Sequence, residues 1–203
     1  MPDAPARAAS PVTARAWFDR SALEVAPDLL GKRIVATGAD GVVAGRIVET
    51  EAYTGPEDLA AHSARGLTAR TATMFGPPGH LYVYLVYGIH HCLNVVCGPG
   101  TKPEAVLVRA VAIDTGEELA RARRGAGVAA NRLAAGPGNV ARALGLDRSA
   151  DGTDLLHGPV RILDGPAPLR VARRPRIGVD YAGAWATLPY RFLVTDDPHV
   201  SRR

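Results

Sequence analysis

The apolar residues of this chain fall in short runs divided by turn signals. Arg33 to Ala36 and Val42 to Tyr53 read as apolar strands around Gly38-Ala39-Asp40-Gly41, a turn of Asp-Gly type, so a hairpin is predicted there. His80 to Val86 and Cys92 to Val96 flank Gly88 as a second pair of strands, and Ala105 to Val111 reads as another. The C-terminal third offers shorter runs, Val160 to Leu163, Val171 to Ala172, Ile177 to Val179 and Phe192 to Val194, with proline-rich turns between them. Helical signals are fewer. Ser21 to Ala26 reads as a short helix, and Val140 to Leu144 as one opened by Gly136-Pro137-Gly138-Asn139 and stopped at Gly145. A third, Thr115 to Arg124, carries Glu117 and Glu118 in its first turn and Arg121, Arg123 and Arg124 in its last, as the helix dipole favours. Thr54 to Pro78 lacks periodicity and predicts a long loop with one helical turn around Asp58 to His62; long ordered loops tend to carry function. Strands and helices do not alternate regularly, so the expected fold is α+β, with flanking helices on a curved, largely antiparallel sheet.

At 203 residues and 47% hydrophobic content the chain fits one domain with a sizeable core. Residues 1–15, rich in Ala, Pro and Arg, read as a disordered arm, leaving 16–203 as the domain. That arm lacks the continuous apolar core of a secretory signal, and no run is long enough to span a membrane. Cys92 and Cys97 sit in an apolar setting, too few for a disulfide framework, and read as buried thiols of a cytoplasmic protein. The net charge of +4 is compatible with a polyanionic partner but does not demand one. Lysine occurs only at Lys32 and Lys102, so nearly all the positive charge is arginine, whose planar fork suits phosphate. A biased nucleotide composition of the source genome explains the same preference.

Candidate chemistry lies in two of the strands. Tyr82-Val83-Tyr84-Leu85-Val86-Tyr87-Gly88 gathers half of the six tyrosines. Alternation puts Tyr82 and Tyr84 on one face and Tyr87 on the other, beside the glycine of a hairpin tip. Ile47-Val48-Glu49-Thr50-Glu51-Ala52-Tyr53 adds two acids and another aromatic. An aromatic platform beside a buried carboxylate is what an enzyme acting on a flat base needs, although aromatics in strands also serve packing, and spacing alone favours the latter. Glu49 and Glu51, two apart, share a face in a regular strand, so their geometry does not separate them.

Linked words along the chain are more specific. Gly45-Arg46-Ile47-Val48-Glu49-Thr50-Glu51-Ala52-Tyr53-Thr54-Gly55-Pro56-Glu57-Asp58 with Ala60-Ala61-His62-Ser63, then Met74 to Gly88 with Cys92-Leu93-Asn94-Val95-Val96, resemble the alkyladenine (3-methyladenine) DNA glycosylase family. Glu104 to Ala110, Gly136-Pro137-Gly138 with Ala143-Leu144-Gly145, and the ending Arg176-Ile177-Gly178-Val179 to Trp185 with Pro198-His199-Val200-Ser201 continue the likeness in order from about Trp17 to the C-terminus. The resemblance, to a bacterial member, implies a monofunctional glycosylase of base excision repair. Such an enzyme flips alkylated purines from duplex DNA, hydrolyses the N-glycosidic bond with a Glu-activated water and leaves an abasic site, without a cofactor or metal.

Residue by residue, the resemblance implies Glu51 as the base that activates water and Arg109 as its catalytic companion, holding a phosphate near the attacked sugar. Tyr53, His62 and Tyr84 become walls of the base pocket, and Asn94 its floor, crowding the 2-amino group of guanine. Tyr87 becomes the wedge of a protruding hairpin that enters the minor groove, Arg70 and Arg124 phosphate contacts, and Tyr82 keeps a packing role. The backbone carbonyl near Ile177 is a further water ligand by the same likeness, while Glu49 defaults to a surface salt bridge. The implied partner is double-stranded DNA with alkylated or deaminated purines, met by a cytoplasmic, nucleoid-associated monomer. Ile89, His90 and Asn139 depart from the family and bear on damage spectrum and affinity. Two rivals remain at this stage. His80, His90, His91 and Cys92 are ligand-type residues for a metal, and a non-catalytic nucleic-acid-binding module would use the tyrosines only for stacking.

Overall fold

The computed structural model describes residues 4–5, 12, 14–100 and 102–202. Its strands are β1 (Ala4–Pro5), β2 (Arg33–Gly38), β3 (Gly41–Tyr53), β4 (Leu81–Val86), β5 (His90–Cys97), β6 (Glu104–Thr115), β7 (Val160–Leu163), β8 (Arg170–Arg174) and β9 (Arg191–Val194). Among the described residues these make one antiparallel sheet along the path β1-β8-β9-β3-β6-β5-β4, with β2 pairing β3 and β7 off that path. Helices α1 (Ala22–Leu29), α2 (Glu117–Arg124) and α3 (Pro137–Leu144) flank it, as an α+β fold requires.

The long strand β3 organises the sheet. One edge pairs along its length with β6; the other is shared, β2 taking the first half and β9 Glu49 to Glu51. Three register shifts against β6, after Ala44, Ile47 and Glu49, bend the strand, and bends of this kind turn a flat sheet into a curved one. Gly45 allows a close approach: a Cβ there would lie 2.3 Å from the Ala112 carbonyl oxygen. The main core gathers Phe18, Val25 and Leu29 below Ile34, Ile47, Leu81, Leu93, Val106, Val140 and Phe192.

Several elements shift from their expected bounds for visible reasons. Helix α1 runs on to Leu29, its start fixed by Ser21 and Glu24 in a capping box. Strand β6 extends to Thr115, and α2 starts only after Gly116, held at a left-handed φ of 71°. In the 54–78 loop the 3-10 turns lie at His62–Arg65 and Ala72–Phe75. Asp58 does not open a helix because its carboxylate accepts the backbone N–H groups of Thr54 and Ala60. Ile177 to Val179, expected as a strand, is a loop whose Ile177 N–H serves a side chain instead of a ladder.

Of the arm expected over 1–15, the described residues touch the domain. Ala4–Pro5 pairs with Arg170 and Val171, the Val12 N–H donates to Asp164 at 2.9 Å, and Arg15 pairs with Asp154. Residues 1–3, 6–11 and 13 lie outside the described residues. Among the described residues no helix is long and apolar enough to cross a membrane, and Cys92 and Cys97 are buried free thiols.

Candidate active site

Strand β3 carries both acids into the interior, where Glu49 and Glu51 are fully buried. Glu51 Oε1 accepts the Ile177 backbone N–H at 2.8 Å, and Oε2 accepts the Tyr53 hydroxyl at 2.9 Å. From β6, Arg109 sets Nη1 3.3 Å from Glu51 Oε1 and Nε 3.2 Å from Glu49 Oε1. Burial pushes the Glu51 carboxyl above the usual range and Glu49 adds to the push, against Arg109, the Ile177 N–H and Tyr53. Burial works against the charge of Arg109, yet the two carboxylates outweigh it and raise its pKa.

Glu49 is not a surface residue. It also accepts Arg191 Nη1 at 3.0 Å and the Ser201 N–H at 2.7 Å, so the expected surface salt bridge is a saturated buried pair. The strand is irregular here, and what separates the two acids is their company. Tyr53, Arg109 and Ile177 around Glu51 all line a cavity, whereas Arg191 and Ser201 around Glu49 do not.

That cavity, of about 490 Å³, lies beside β4, β5 and the 177–181 loop. It brings together Tyr53, His62, Arg70, Tyr84, Tyr87, Asn94 and Arg109, which the sequence scatters over two long segments. The size suits a flat, drug-sized occupant. His62 meets the Tyr84 ring edge to face at 4.4 Å, and burial, aided by Arg70 and Arg65, lowers its pKa to about 4, so the ring is neutral at physiological pH. Burial likewise pushes the Tyr53 and Tyr84 phenols up, and both stay protonated. Asn94 Nδ2 donates to the Tyr82 carbonyl at 3.3 Å. The Arg70 guanidinium lies 5.4 Å over the Tyr84 ring and donates to the Leu85 carbonyl.

Tyr87 stands at the β4–β5 hairpin tip, 90% exposed, with Ile89 beside it at 72%. It is outside the strand, so its face follows from the turn and not from alternation. Tyr87 and Gly88 both take left-handed φ values, 52° and 72°, in the three-residue turn that joins Val86 to its strand partner His90. Arg124 is not gathered with the others. It ends α2 with Nε donating to the Leu133 carbonyl at 2.8 Å, and it does not line the cavity.

The sequence assigned no role to Arg176 and Asp58. Arg176 Nη1 and Nη2 grip the two Asp58 oxygens at 2.5 and 2.8 Å, and its guanidinium lies 4.7 Å from the Tyr53 ring and 5.4 Å from that of Tyr190. It thereby fixes the pocket wall and the start of the segment whose Ile177 N–H reaches Glu51. No local signal pairs residues so far apart in sequence. Among the described residues no three His, Cys, Asp or Glu side chains converge as a metal site requires. Lys32 pairs with Asp164 and Lys102 with Glu104, and neither lines the cavity.

Known proteins share long stretches of this sequence. Residues 16–198 match the family model described as methylpurine-DNA glycosylase. A Streptomyces avermitilis protein named as a 3-methyladenine DNA glycosylase is 48% identical over 197 residues, covering 95% of this chain and 91% of the relative. One of the same name from Methanocella arvoryzae is 46% identical over 95% of this chain and 97% of its own length. Another from Myxococcus xanthus is 47% identical over 92% and 91%. The chain therefore belongs to the methylpurine-DNA glycosylase family, whose members hydrolyse N-glycosyl bonds in the repair of alkylated purines in DNA.

Proposed function

We propose that the chain excises alkylated purines by a single hydrolytic step in which Glu51 activates water. The observation that carries this reading is the Glu51 carboxylate, held just behind the cavity wall by Tyr53, Arg109 and Ile177. Water in that wall gives its proton to Glu51 as its oxygen bonds to C1′ of the sugar. The C1′–N bond breaks, and its electron pair leaves with the purine. A 3-alkylated adenine carries positive charge before cleavage and leaves neutral, so no general acid is needed on the base. The developing positive charge on the sugar is met by the carboxylate, and Arg109 orients Glu51 against the pull of burial.

The same reading gives the cavity a nucleotide rotated out of the duplex. Tyr53 stacks on one face of the base, with His62 and Tyr84 on the other, and Asn94 closes the floor against guanine. Tyr87, exposed at the hairpin tip, fills the gap left in the stack, while Arg70 at the rim and Arg124 on α2 meet phosphates. Deaminated purines enter the same pocket, and one monomer serves one lesion.

The test is duplex DNA treated with a methylating agent and incubated with the full chain. Free 3-methyladenine and alkali-labile abasic sites should appear in equal amounts, with the strand intact. Strand scission keeping pace with base release, or a borohydride-trapped protein–DNA adduct, would show an amine nucleophile and contradict the hydrolytic step.

A further inference from the structure

Tyr82 is the tyrosine that the pocket does not need for stacking. It is 1% exposed on β4, and its hydroxyl lies 3.0 Å from His62 Nδ1, with the two rings edge to face at 6.0 Å. Either atom can donate across such a contact, so the hydrogen bond alone leaves the histidine tautomer open. The surroundings decide it. Tyr82 is buried, and burial pushes its phenol pKa up, so the hydroxyl keeps its proton. That proton needs an acceptor. Among the described residues His62 Nδ1 is the hydrogen-bond partner of the Tyr82 hydroxyl, and a buried O–H left without an acceptor costs about 1–3 kcal/mol.

We propose that Tyr82 is a positioning residue: by donating its hydroxyl proton to His62 Nδ1 it locks His62 as the Nε2–H tautomer and gives the base pocket a fixed hydrogen-bond donor. His62 lines the cavity, and its Nε2 has no hydrogen-bond partner among the described residues. The ring is neutral, so a single proton decides whether the occupant meets a donor or an acceptor. A donor that meets the N7 edge favours a purine whose N7 lone pair is free. It is left unpaired by a 7-alkylated purine, and sites built to hydrogen-bond a substrate reject an analogue that lacks the partner. This selectivity rests on the pocket proposed above; the tautomer itself does not.

The experiment uses the full chain labelled with 15N-histidine, in wild-type form and as Tyr82→Phe, with the His62 resonances identified by their loss in His62→Gln. Wild type should show His62 protonated at Nε2 alone, and Tyr82→Phe should show exchange between the two tautomers. A wild-type Nδ1–H tautomer, or a Tyr82→Phe spectrum like that of wild type, overturns the proposal. In parallel, kcat/KM is measured on duplexes holding hypoxanthine or 7-methylguanine. The ratio should fall about tenfold in Tyr82→Phe, the loss of one hydrogen-bonded contact. An unchanged ratio overturns the selectivity, whereas a protein with the Nε2–H tautomer that releases no alkylated base retains this inference and loses the glycosylase pocket.

Discussion

Arg176 holds Asp58 with both ends of its fork, at 2.5 and 2.8 Å, across 118 residues of sequence and with both side chains fully buried. The pair ties the loop that carries His62 to the segment that carries Ile177. Replacing Arg176 by Met leaves a buried carboxylate without its cation, and breaking such a pair costs about 3–5 kcal/mol. Urea unfolding of Arg176→Met should show a loss of that order. A change within about 0.5 kcal/mol would show that the pair is not a clamp.

Two pocket groups make stability depend on pH in opposite senses. Glu51 has a folded pKa raised above 4.5, so the native state keeps a proton that the unfolded chain has lost, and stability falls as pH rises through that window. Glu51→Gln should therefore be more stable than wild type at pH 7, and a lower urea midpoint for the variant would contradict the burial cost.

His62 works the other way. Its pKa drops from 6.5 to about 4 on folding, so the unfolded chain binds the proton first and stability is lost as pH falls through that range. Between pH 7 and pH 5 wild type should lose about 1–2 kcal/mol more than His62→Gln. Equal losses in the two proteins would place the His62 pKa near its ordinary value.

Tyr87 is 90% exposed and sits at a positive φ, where a non-glycine residue is strained. Tyr87→Ala should leave the unfolding free energy within about 0.5 kcal/mol of wild type, as for most surface positions. Single-turnover base release from duplex DNA should slow, and release from a lesion in single-stranded DNA should not. Equal slowing on both substrates would remove the wedge role.

These contrasts show what the chain made legible. The 38–41 turn, the Tyr87-Gly88 tip and the capped ends of α1 and α3 are local, and a few residues of sequence specify each. The linked words singled out nine candidate residues, and the fold brings seven of them around one cavity. Long-range partnerships were hidden. Glu49 and Glu51 look alike in a strand, and only Arg191 and Ser201 arriving from the C-terminal end set Glu49 apart. Ile177 was expected in a ladder because its neighbours are apolar, yet its N–H goes to Glu51. Arg124 looked like the other arginines until α2 turned its side chain onto the Leu133 carbonyl.

Single-turnover hydrolysis by Glu51→Gln is the most direct test of the whole account. The glutamine keeps the size of the side chain but cannot take the water's proton. The variant should bind a duplex carrying an alkylated purine as tightly as wild type, with abasic-site formation slowed at least about a hundredfold. Base release at the wild-type rate by a folded, DNA-bound Glu51→Gln protein would contradict it.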